Sequence, residues 1–62
     1  MTYKTFQDSN GNEMSFWINN KNQIYIEIKQ VEDPYMSQYI TIDKEDAQEL
    51  VDDLQLLTNN LE

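Results

Sequence analysis

At Asp43 the apolar rhythm of the chain changes period. Before it, Ile40 and Ile42 alternate with Tyr39 and Thr41, the two-residue repeat of a strand. After it, Ala47, Leu50, Val51, Leu54, Leu57 and Leu61 recur at the three- and four-residue spacing of one helix face. An Asp at such a junction is a natural N-cap, because its carboxylate accepts hydrogen bonds from the free N–H groups of the first turn. Glu45 and Asp46 suit the positive end of the helix dipole. Asp46 is one methylene shorter than the Glu of a capping box, so that match is partial. The helix is expected over about 44–58, with Thr58-Asn59-Asn60 fraying its end, since these side chains compete for backbone hydrogen bonds. Glu45, Asp46, Glu49, Asp52 and Asp53 gather on the opposite face, and Leu56 falls among them as an exposed leucine. A strand that runs straight into a one-faced helix implies that the preceding segments form the sheet it covers.

Those segments read as a meander. Residues 2–7 alternate with β-branched and aromatic side chains and end at Ser9-Asn10-Gly11, a hairpin signal. A two-residue Asn10-Gly11 turn would set Asp8 against Glu13, an unfavourable like-charge pair. A three-residue loop with Gly11 left-handed pairs Gln7 with Glu13 and Phe6 with Met14, and is the register expected. Strand 13–18 places Met14, Phe16 and Ile18 on one face, and a three-residue Asn20-Lys21-Asn22 loop then aligns Ile18 with Ile24, Phe16 with Ile26 and Met14 with Ile28. The same register sets Glu13 opposite Lys29. Strand 23–30 is broken by Glu32-Asp33-Pro34, because proline cannot donate to the ladder. Strand 38–42 returns with Ile40 and Ile42 inward, and Tyr35 and Met36 are expected to tuck over the edge of the core. The chain is therefore read as one α+β domain, a four-stranded antiparallel meander with one C-terminal helix packed across one face.

Composition limits what such a domain can do. At 62 residues a single core is marginal, and an extra source of burial is expected. There is no cysteine or histidine, hence no disulfide, thiol chemistry or zinc site, and self-association is the natural way to add burial. The absence of cysteine fits a reducing compartment. No basic segment leads into an apolar run, and no apolar stretch has the length of a span, so a cytoplasmic protein without membrane contact is expected. Twelve acids against four lysines give a net charge of −8, which disfavours direct nucleic-acid binding and favours a protein partner with a basic surface.

Catalytic and cofactor chemistry find no motif. The serines, threonines and lysines lack a base at telling spacing, and carboxylates on a convex helix face lack the cleft that would shift their pKa values. Gly11 is the only glycine, too few for a phosphate cradle. Asp8-Ser-Asn-Gly-Asn-Glu starts like a calcium loop but has Glu13 where glycine is required and Asn19 where a bidentate Glu is required. No enzyme, metal or cofactor is expected.

Two surfaces remain as candidates. The registers set Tyr3, Trp17 and Tyr25 side by side on the uncovered sheet face, with Tyr39 nearby; such a row can stabilise the sheet, join two copies or bind a partner. The acidic helix face, Glu45, Glu49, Asp52 and Asp53, offers regularly spaced carboxylates to a cationic groove. In size, acidity and sheet-plus-helix plan the whole chain resembles small phage-encoded acidic inhibitors, of the anti-CRISPR and DNA-mimic type. That resemblance implies a protein that blocks a basic host enzyme such as a nucleic-acid-binding defence protein. The aromatic rather than acidic sheet face departs from that pattern. The alternative is a homo-oligomeric structural or accessory subunit joined through Tyr3, Trp17, Tyr25 and Tyr39.

Overall fold

The computed structural model describes residues 3–62. Met1 and Thr2, the latter expected to open the first strand, lie outside the described residues. Four strands, β1 (Tyr3–Gln7), β2 (Glu13–Ile18), β3 (Ile24–Gln30) and β4 (Asp33–Ile42), form one antiparallel sheet in chain order, followed by α1 (Lys44–Asn59). The α+β order ββββα is the one expected.

Both expected hairpin registers are present, and the same turn chemistry makes both. In the first, Gln7 pairs with Glu13 and Phe6 with Met14. Gly11 N–H donates to the Asp8 carbonyl at 3.2 Å, and Gly11 takes φ +88°, the left-handed conformation glycine adopts at little cost. In the second, Ile18 pairs with Ile24 and Glu13 with Lys29; Asn22 N–H donates to the Asn19 carbonyl at 3.2 Å and Asn22 takes φ +60°. Each loop is also tied by an acceptor side chain at its first position. Asp8 Oδ1 accepts from the backbone N–H of Asn10 and of Asn12, each at 2.9 Å. Asn19 Oδ1 accepts in the same way from Lys21 and Gln23, each at 3.0 Å.

The last strand differs from expectation. It starts at Asp33, not Gln38, and so includes Pro34. Gln30 pairs with Asp33 across a tight Val31-Glu32 turn, whereas Lys29 pairs with Ser37, so β4 carries the extra residues as an irregularity opposite Lys29 and Gln30. β4 is an edge strand, where a missing donor breaks no ladder, so the proline is tolerated. The excursion pushes Tyr35 outward to 97% exposure; it does not tuck over a core, and Met36 is exposed as well.

Helix α1 begins as the sequence implies. Asp43 is its N-cap, extended at φ −88° and ψ −176°, and its carboxylate accepts from Asp46 N–H at 2.9 Å. The helix runs through Thr58 to Asn59 without the expected fraying, and Asn60 holds its end by donating from Nδ2 to the Leu56 carbonyl at 2.8 Å.

The position of the helix is the main correction. It associates chiefly with β4, the strand it leaves, and none of its residues is buried. Ala47 and Val51 share a crevice with Ile18 and Ile24, but Leu54, Leu57 and Leu61 reach no such neighbour there and stay exposed. Asp43 alone separates strand from helix, in the extended conformation usual for an N-cap, and α1 meets the apolar face beside Ile18 and Ile24, at the end of the sheet where β4 finishes. Among the described residues no apolar side chain is buried.

Candidate interaction surfaces

Alternation along each strand sorts the sheet into two unlike faces. One carries Tyr3, Trp17, Tyr25 and Tyr39, brought together as expected. Tyr3 stands opposite Trp17, and Trp17 opposite Tyr25. Tyr39 is a diagonal neighbour of Tyr25, because it pairs with Glu27. Ring centroids are 5.4 Å apart for Tyr3–Trp17, 4.5 Å for Trp17–Tyr25 and 5.2 Å for Tyr25–Tyr39, within the range of favourable aromatic contact. Beside the row lies Ser15, the one buried polar residue among those described, whose hydroxyl donates to Glu13 Oε1 at 3.3 Å. The Tyr25 hydroxyl donates to Glu27 Oε2 at 3.4 Å. Desolvation beside the rings, then the charge of Glu27 and its hydrogen bond, push the Tyr25 phenol above its ordinary value.

The opposite face is apolar across its width. Phe6, Met14 and Ile28 form one cross-strand row, Phe16, Ile26 and Ile40 a second, and Ile18, Ile24 and Ile42 a third. Its charged strand residues are Lys4, opposite Phe16 on the edge strand β1, and Asp33, opposite Gln30 on the edge strand β4. Phe6, Ile18, Ile28 and Ile40 are each about half exposed or more. Periodicity marked this face as inward; it could not show that the helix leaves most of it open.

No protein-family profile matches the chain, and no curated protein or solved structure is significantly similar to it. The reading of function therefore rests on these surfaces alone.

The third surface is the acidic side of α1. Glu45, Glu49, Asp52 and Asp53 are all exposed on a single 16-residue helix. Glu45 and Glu49 are one turn apart, about 6 Å along the axis at a rise of about 1.5 Å per residue. Among the described residues the one ion pair is Lys29–Glu27 at 3.7 Å, so no lysine neutralises the helix carboxylates. Leu56 is 62% exposed, as expected. No helix among the described residues is long and apolar enough to cross a membrane.

Two further contacts escape sequence reasoning. Asn12 Oδ1 accepts from Val31 N–H at 3.0 Å, tying the first hairpin loop to the β3–β4 turn. Asp8 is the hub of its loop: the Asn12 side-chain amide donates to Oδ2 at 3.1 Å, in addition to the two backbone donors. That amide chiefly holds the Asp8 carboxyl below its ordinary value of 3.8; desolvation opposes it, and the backbone N–H groups of Asn12, Asn10 and Gly11 assist. The repeated pattern of Asp or Asn opening each loop was the signal that could have revealed the hub.

Proposed function

We propose that this chain is a small, non-enzymatic acidic interaction protein that blocks a basic partner, such as a nucleic-acid-binding enzyme of a host defence system, in the cytoplasm. The observation that carries this reading is the acidic helix face: four exposed carboxylates, Glu45, Glu49, Asp52 and Asp53, with no cation among the described residues paired to them. A straight helix holds them in fixed spacing, and the net charge of −8 extends their field outward and steers a basic surface towards them. A cationic groove that accepts the phosphates of a nucleic acid can accept this face in their place.

The test is capture of partners on the tagged protein from bacterial lysate, washed with rising salt. It is run in parallel with a variant carrying Glu45→Gln, Glu49→Gln, Asp52→Asn and Asp53→Asn. Recovery of a basic enzyme that elutes early in the salt series and is lost from the variant supports the proposal. Equal recovery by both proteins sinks it.

The aromatic row supports a second reading, a homo-oligomeric subunit joined through Tyr3, Trp17, Tyr25 and Tyr39. The favouring observation is that the outer rings, Tyr3 and Tyr39, remain 59% and 68% exposed. Against it, the rings already satisfy one another within the sheet. Replacing Trp17 and Tyr25 would abolish assembly if the row is the joint.

A further inference from the structure

A folded monomer of 7.4 kDa is expected to expose about 4,200 Å² by the scaling of surface with mass. This chain exposes 5724 Å², an excess of about 1,500 Å² over that scaling. Its Cα radius of gyration, 13.1 Å, likewise exceeds the roughly 10.6 Å expected for a compact domain of this length. The surplus has a definite location. The sheet face carrying Phe6, Phe16, Ile28 and Ile40 is largely uncovered, and so is the helix stripe of Leu54 and Leu57.

We infer that the chain assembles as a reciprocal homodimer in which the Leu54–Leu57 stripe of each helix lies on the apolar sheet face of the other copy. Three observations favour a second copy over any other occupant. The chain's own helix associates chiefly with β4 and leaves most of the apolar face open. A second copy supplies both missing halves at once, a helix for this sheet and a sheet for this helix, as a two-fold contact requires. If each chain buried its excess of about 1,500 Å², the pair would bury about 3,000 Å², inside the roughly 2,000–5,000 Å² of obligate dimers. This joint lies on the sheet face opposite the aromatic row, and it leaves Glu45, Glu49, Asp52 and Asp53 outward.

Sedimentation equilibrium of the full chain tests the assembly, and cross-linking tests the joint. The expected mass is twice the 7.4 kDa of the chain at micromolar concentration; a monomer throughout the accessible range overturns the inference. Because the chain has no cysteine, single sites can be introduced cleanly. Chains bearing Leu54→Cys and Ile28→Cys are mixed and treated with a short bifunctional thiol reagent, with Tyr39→Cys as the comparison. Both Leu54 and Ile28 are about half exposed in the single chain, so a cysteine at either leaves the fold intact. Covalent pairs of Leu54→Cys with Ile28→Cys chains, at least several-fold above Tyr39→Cys pairs, support the joint. A dimer that links through Tyr39→Cys and not through the mixed pair assigns the contact to the aromatic face and overturns it.

Discussion

Replacing Gly11 with alanine tests the device that sets which face of the sheet is apolar. Gly11 sits at φ +88°, and a Cβ added there would meet Val31 Cγ2 at 3.8 Å, an ordinary contact. Crowding therefore adds little, and the cost is conformational: about 1–2 kcal/mol for an L-residue held left-handed. A domain of this length is expected to have only about 3–9 kcal/mol of stability in total, so the loss is a substantial share of it. The assay is urea unfolding followed by Trp17 fluorescence, at one fixed protein concentration because self-association couples to stability. Chemical synthesis allows a sharper control, since D-alanine favours positive φ and should be neutral or stabilising at the same position. If L- and D-alanine at position 11 shift the midpoint alike, the left-handed turn is not what pins the first register.

Asp43→Ala removes the acceptor of Asp46 N–H and should cost about 1 kcal/mol, seen as a lower urea midpoint with early loss of helical dichroism. Asp8 has its folded pKa depressed, so its stabilising contribution is present above its ordinary value of 3.8 and disappears as pH falls through the lower folded value. Asp8→Asn should therefore flatten that part of the acid-unfolding profile relative to the parent chain, and parallel profiles would refute the loop-hub role. Added salt should tighten the homodimer, by screening two copies of charge −8 from each other, while loosening capture of a basic partner. Sedimentation and pull-down across one salt series read both, and a dimer that salt dissociates would contradict the apolar joint.

The sheet was legible wherever two physical criteria met on one register. The Asn20-Lys21-Asn22 loop aligned isoleucines on one face and set Glu13 against Lys29 on the other, and that is the register present. Avoiding an Asp8–Glu13 pair chose the first loop correctly. The start of β4 was not legible, because Pro34 forbids a central strand but not an edge one, and edge position is a property of the whole sheet. The Asn12–Val31 bond joins residues 19 apart, and nothing local announces it. The placement of the helix was the larger gap. Periodicity showed that Leu50, Leu54 and Leu57 form a face, but a stripe that covers its own sheet and one that covers a neighbour's have the same spacing. The direct strand-to-helix junction at Asp43 fits either placement, because its extended backbone is that of any N-cap.

The distribution of charge on α1 bears on both proposed roles. Four of the six acids of residues 44–62 make up the proposed contact face, and the leucines at 50, 54 and 57 keep to the other side. A dimer built on the leucine side brings two strongly negative chains together, so its carboxylates are best kept at the outer surface, where water and salt screen them. That is where partner recognition also needs them. Assembly and acidic recognition thus make compatible demands on one helix, and a reciprocal dimer would present two such faces on one rigid body. A basic partner with two cationic grooves at the matching distance would then gain from bivalent contact, without any new residue in the interface. A partner with a single groove would gain only the higher local charge.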